Sequence, residues 1–122
     1  MLKDNEKDED WRSVLRGQGV NVDKALERMK GNEVTYRDFL IEFFADPDFE
    51  SLEEAVKAGD AQAAFDCAHG LKGMAANLGL VEICHRLSVL VEILRKAQIE
   101  GAAEAFGEVM SACGNVTRLL YK

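Results

Sequence analysis

Apolar residues recur along the chain three, four and seven positions apart, with no alternating stretch, so the pattern predicts helices and no strands. Trp11, Val14 and Leu15 stand at that spacing in a short helix expected over about 8–16 and ended by Gly17 and Gly19. The first ten residues are mostly charged and are expected to fray. Asn21 or Asp23 can cap a second short helix carrying Val22, Ala25, Leu26 and Met29, which stops at Gly31-Asn32. A longer segment begins near Glu33 with Tyr36, Phe39, Leu40, Phe43 and Phe44. Pro47 should kink or split it near Asp46, and Phe49, Leu52, Ala55 and Val56 carry the stripe on to Gly59.

Three further helices follow. Asp60 is a plausible N-cap for one that Gly79 closes, and the next runs from about Leu80 to Gln98 with Ile83, Cys84, Leu87, Leu90, Val91 and Leu94 on one face. Beyond Gly101, a last helix over about 102–120 is expected to bury Phe106, Val109, Met110, Cys113, Val116 and Leu120. Very short links at Gly59, Gly79 and Gly101 imply antiparallel neighbours. The expected fold is all-α: an up-down antiparallel four-helix bundle over 19–122, with one or two short N-terminal helices and a partly helical extension over 1–18.

Composition narrows the function classes. A chain of 122 residues, 48% apolar with a single Pro, is one globular domain able to fold without staples. Fifteen Lys and Arg against 22 Asp and Glu give a net charge of −7 and no basic stripe, which argues against nucleic-acid binding. Three widely spaced Cys form no disulfide framework and suit a reducing cytoplasm. The start, MLKDNEKDED, has no apolar signal region, and no run is long enough to span a membrane. A cytoplasmic protein is expected. His and Cys fall at no metal-ligand spacing, and Cys67, Cys84 and Cys113 sit on apolar stripes, so they read as core residues and no metal is expected.

The Asp60–Leu78 helix carries the candidate chemistry. Ala61, Ala64, Phe65, Cys67, Ala68, Leu71, Met74, Ala75 and Leu78 form a broad apolar arc. His69 lies roughly 160° from the centre of that arc, in solvent. Gln62, Asp66, Gly73 and Ala76 share its side, and Lys72 flanks it. Gly73 sits beside the imidazole one turn on, and a glycine in a helix interior costs about 1 kcal/mol relative to Ala. Gly70 adds a second such cost. Close approach by something from outside is the usual reason for such glycines. A neutral imidazole is a good nucleophile near neutral pH, and Lys72 at i+3 can balance charge on a phosphoryl group. Asp66 either orients the imidazole or only solvates the helix. The residues alone leave a plain surface histidine and a reactive one both open. No Walker A motif, kinase glycine loop or serine elbow is present, so neither ATP binding nor an enzyme's own active site is expected. His85 lacks a glycine clearing and a placed lysine, and reads as a surface histidine. Val81, Val89 and Ile93 widen the arc of their helix, either for docking or for contact with the N-terminal helix.

Ala68-His69-Gly70-Leu71-Lys72-Gly73, followed by Asn77-Leu78-Gly79, resembles the histidine-containing phosphotransfer (HPt) domain of phosphorelays. Gly19-Val20-Asn21-Val22 with Leu26, Tyr36 to Phe44, the approach over Leu52, Ala55 and Gly59-Asp60, and Leu80, Cys84 and Leu87 extend the likeness to about residues 19–120. The resemblance implies a four-helix bundle carrying a phosphoryl group on His69. The group would come from a receiver aspartate or a histidine kinase and pass to a receiver aspartate, in two-component signal transduction. By that likeness His69 is the phosphoacceptor, Lys72 the stabilising cation and Gly73 the clearance position. Gln62, Asp66, Gly70, Ala76 and Asn77 are the expected docking surface. Mg²⁺ would belong to the receiver and no cofactor to this chain. A monomer is expected, since His69 needs an open face. Met74 and Ser88 depart from residues usual in the family and bear on which receiver docks. The rival reading is a helical docking module that binds receivers or kinases without carrying phosphate.

Overall fold

The computed structural model describes residues 4–120, with side chains from Trp11 to Leu120. Among the described residues there are seven helices: α1 (Asp4–Gly17), α2 (Val22–Arg28), α3 (Glu33–Phe44), α4 (Asp48–Ala58), α5 (Ala61–Asn77), α6 (Val81–Arg95) and α7 (Ala102–Leu120). Helices α4 to α7 each pack on the next, and α4 also meets α7, which closes a four-helix bundle. Leu52, Leu71, Leu87, Leu90 and Val109 are fully buried in it.

Local signals account for the boundaries. The Asn21 side chain accepts from the Lys24 N–H at 3.1 Å, so Asn21 rather than Asp23 caps α2. Asn32 caps α3 in the same way, accepting from Thr35 N–H at 3.0 Å. Pro47 splits the long segment: α3 ends at Phe44 and α4 starts at Asp48, whose N–H donates to Asp46 Oδ1 at 2.8 Å.

Several expectations need correction. Helix α1 starts at Asp4, not near residue 8, and residues 1–3 of the stretch expected to fray lie outside the described residues. Helix α6 ends at Arg95, short of Gln98, where Ala97 takes a left-handed conformation (φ 57°), so the link to α7 is longer than expected. Met110 and Phe39 are exposed at the margins of their stripes, while Phe106 and Leu120 are half-buried. Of the three cysteines only Cys113 is buried; Cys67 and Cys84 are half-buried. Val81 and Val89 stay exposed, and α1 packs on α7 and α2.

The N-terminal helices hold the bundle from one end. Trp11 meets Tyr36 edge-on at 5.9 Å and lies under the Arg37 guanidinium, and Arg12 pairs with Glu33. Arg16 binds Asp23 at 2.7 Å, a hydrogen bond that holds the Asp23 carboxyl below the usual carboxylate range. The lead-in over 19–22 crosses the α5–α6 turn. Asn21 N–H donates to Gly79 O at 2.7 Å, Val81 N–H donates to Gly19 O at 3.0 Å, and Val20 forms a lone antiparallel bridge with Leu80.

Candidate functional site

Helix α5 carries the candidate residues. Its N-terminus is set by Asp60, whose Oδ1 accepts from the Ala63 N–H at 3.1 Å. Ala64, Ala68, Leu71 and Ala75 form its buried seam, and these mostly small side chains let α4 and α6 pack close on either side. Ala61, Phe65, Cys67 and Met74, expected on the core arc, are only half-buried at its edges.

The opposite face is open. Gln62, Asp66, His69, Gly70, Gly73, Ala76 and Asn77 are all exposed, and Lys72 is half-buried beside them. A Cβ at Gly73 would meet nothing within 4 Å, so no packing inside the chain requires glycine there. Gly70 lies at the α4 edge of this face: its Cβ would lie 3.9 Å from Asp48 Oδ2 at the start of α4.

Among the described residues neither imidazole nitrogen of His69 makes a hydrogen bond, and the Lys72 ammonium makes no ion pair. Asp66 does not orient the imidazole. It accepts from Gln62 Nε2 at 3.0 Å, an i,i+4 pair along the helix surface. What touches the imidazole is Phe65, one turn before it. The two rings stack with centroids 5.6 Å apart and planes 21° from parallel. Phe65 stands at i,i+4 to His69, the spacing that signals such a contact, but its place on the apolar arc points to the core instead.

The far end of α5 is tied down by residues distant in sequence. Arg28 Nη1 donates to the carbonyl oxygens of Ala76 and Asn77, each at 3.0 Å. The buried Tyr36 hydroxyl donates to the Leu78 carbonyl at 2.6 Å. These bonds satisfy carbonyls that a helix end leaves open, and the guanidinium also complements the negative end of the dipole. Nothing local in the α5 sequence signals either donor. Between α2, α3 and the last turns of α5 lies a groove of about 510 Å³, lined by Arg28, Phe39, Glu42, Asp46, Met74 and Asn77 among others.

Acidic groups gather on the α4 side of the site. Burial pushes the Cys67 thiol up, and the charges of Asp48, Asp66 and Asp46 add to that shift. His85, on α6, is exposed. Among the described residues no group of three or more His, Cys, Asp or Glu side chains is arranged to share a metal ion.

The family model of the Hpt domain matches residues 38–119. The chain belongs to the Hpt domain family. The matched span holds the whole of α4, α5 and α6, with His69, Lys72 and Gly73 inside it. It begins at Asp38, later than the residue 19 from which the likeness was traced, so Gly19 to Val22 fall outside it. No curated protein and no solved structure matches the chain. Membership of the Hpt family implies a phosphotransfer role in a phosphorelay. Among the described residues no helix of this Hpt domain is long and apolar enough to cross a membrane.

Proposed function

We propose that this Hpt domain is a phosphocarrier that takes a phosphoryl group on His69 and delivers it to the aspartate of a receiver domain. The reading is carried by one observation: an exposed imidazole, with both nitrogens unbonded among the described residues, stands on the helix face that Gly73 leaves clear, inside a chain of the Hpt family. In the step from a receiver, Nε2 of neutral His69 attacks the phosphorus of the aspartyl phosphate in line with the leaving oxygen. The N–P bond forms as the P–O bond breaks, and the electron pair leaves on the receiver's carboxylate. A histidine kinase serves as donor by the same attack. The reverse step loads the next receiver.

Lys72, three residues on and free of ion pairs among the described residues, lies one turn away to offset charge on the phosphoryl oxygens. Gly73 admits the partner's backbone and phosphorylated side chain. Gln62, Asp66, Gly70, Ala76 and Asn77 frame the docking face. Mg²⁺ is the receiver's, held at its own aspartate. The protein acts in the cytoplasm as a monomer, passing on a phosphoryl group without binding ATP or hydrolysing the phosphohistidine.

The test is phosphotransfer from a panel of labelled receivers and histidine kinases, wild type beside His69→Gln. Label on the wild type alone supports the reading. Label on His69→Gln overturns it, and a folded wild type that takes no label from the whole panel favours a docking module instead.

A further inference from the structure

Phe65 is half-buried and stacks on the His69 imidazole, 5.6 Å between centroids and 21° from parallel. The guanidinium of Arg95, at the end of α6, packs over the same phenyl ring, its carbon 5.3 Å from the centroid. Arg95 is in turn held by Glu92, which accepts from its Nε at 3.3 Å. With Asp66 engaged by Gln62, the stack with Phe65 is the side-chain interaction the imidazole makes among the described residues.

We propose that Phe65 is a positioning residue for phosphoryl transfer at His69, holding the imidazole in one orientation by an offset stacking contact that Arg95 braces from α6. The proposal rests on the reading of His69 as phosphoacceptor.

The geometry suits that role. A nucleophilic imidazole nitrogen attacks along a lone pair in the plane of the ring. A phenyl ring on the imidazole face therefore sets the direction of attack without occupying it. A carboxylate hydrogen-bonded to one ring nitrogen orients the other in many histidine sites. Here the carboxylate nearest along the helix is otherwise engaged, and stacking takes its place. An exposed side chain otherwise samples several staggered rotamers, and holding it in a near-attack orientation speeds in-line transfer. The phenyl ring costs little to hold still, because α6 supplies the brace and the bundle core supports its other atoms.

The test needs no protein partner. Phosphoramidate serves as a small phosphodonor: the bond from Nε2 to phosphorus forms, the P–N bond of the donor breaks, and ammonia leaves with the electron pair. Wild type, Phe65→Leu and Phe65→Tyr are compared for labelling rate, for helix content, and for the ring-proton resonances of His69. The wild-type His69 ring protons should lie upfield from the ring current of Phe65, move downfield in Phe65→Leu, and return in Phe65→Tyr. The labelling rate should fall about threefold to tenfold in Phe65→Leu, with unchanged helix content, and recover in Phe65→Tyr. Arg95→Gln, which leaves the core untouched, should shift both readouts part of the way, and it carries the test if Phe65→Leu does not fold. His69 resonances that ignore Phe65→Leu, or a labelling rate equal to wild type, overturn the proposal. A wild type that takes no phosphoryl group from any donor overturns the phosphoacceptor reading and this proposal with it. A wild type that is labelled while Phe65→Leu is labelled equally fast overturns this proposal alone.

Discussion

The carbonyl oxygen of Asn21 occupies the place a Cβ on Gly79 would take. Gly79 also sits at φ 73°, in the left-handed region. The residue that ends the site helix is therefore glycine for two reasons, a turn that favours no side chain and a backbone from the lead-in that leaves no room for one. Through this contact the segment over 19–22 seats the α5–α6 turn, and with it the end of the helix that carries His69.

Gly79→Ala should accordingly destabilise the fold by about 2–4 kcal/mol, the sum of left-handed strain and displacement of Asn21. Urea denaturation checks this. A loss of only about 1–2 kcal/mol would mean that the lead-in yields and the left-handed strain alone remains, and a loss below about 0.5 kcal/mol would contradict both contributions.

Gly73 should behave in the opposite way. No atom of the chain lies within 4 Å of a Cβ there, so Gly73→Gln should stabilise the helix by about 0.5–1 kcal/mol. Transfer from a receiver should fall about tenfold or more, because the longer side chain stands in the path of the partner beside His69. Wild-type transfer rates in Gly73→Gln, measured with a labelled receiver, would contradict the clearance role.

Lys72→Gln separates charge from packing. Since the ammonium makes no ion pair among the described residues, stability should change by no more than about 0.5 kcal/mol. Phosphorylation of His69 should slow about tenfold, less than the roughly 10²–10³-fold loss when a donor is removed from a water-excluded site, because solvent screens a cation beside an exposed imidazole. Parallel denaturation and labelling assays read the two effects, and equal labelling rates would remove Lys72 from the site.

Alkaline pH probes the core. Burial pushes the Cys113 thiol up to about 12 from an ordinary value of 9.0. Above 9.0 the unfolded chain loses this proton while the folded chain keeps it, so the contribution to stability is whole below that pH and is lost as pH rises toward 12. The slope is at most about 1.4 kcal/mol per pH unit from this group. Burial also raises the Tyr36 hydroxyl well above its ordinary value, so it acts in the same direction at still higher pH. Between pH 8.5 and about 10.5, Cys113→Ala should lose less stability than wild type in urea titrations. Parallel slopes for the two proteins would show that the thiol does not ionise on unfolding.

How much of this was legible in the sequence depended on range. Asn21 and Asp60 cap their helices through bonds three residues away, and Pro47 breaks a helix by its own ring, so these features could be read locally. The exposed face of α5 followed from helical periodicity alone, since the seam Ala64, Ala68, Leu71 and Ala75 determines what must point outward. The end of α6 did not follow, because Ala97 takes a left-handed turn with no glycine to mark it. Nor did the bonds from Arg28 and Tyr36 to the last carbonyls of α5, which join residues more than forty positions apart. Phe39 and Met110 were expected inside because a stripe's margin and its centre look alike in one dimension. Phe65 was assigned to the core for the same reason, and its edge position is what brings it to His69.

The most direct measurement is to map the phosphoryl group itself. Wild-type protein is incubated with a phosphorylated receiver, digested under alkaline conditions that preserve phosphohistidine, and sequenced by mass spectrometry. A single acid-labile, base-stable phosphate on His69, with none on the exposed His85, is the result this account predicts. Phosphate on His85, or on any residue other than His69, would contradict it.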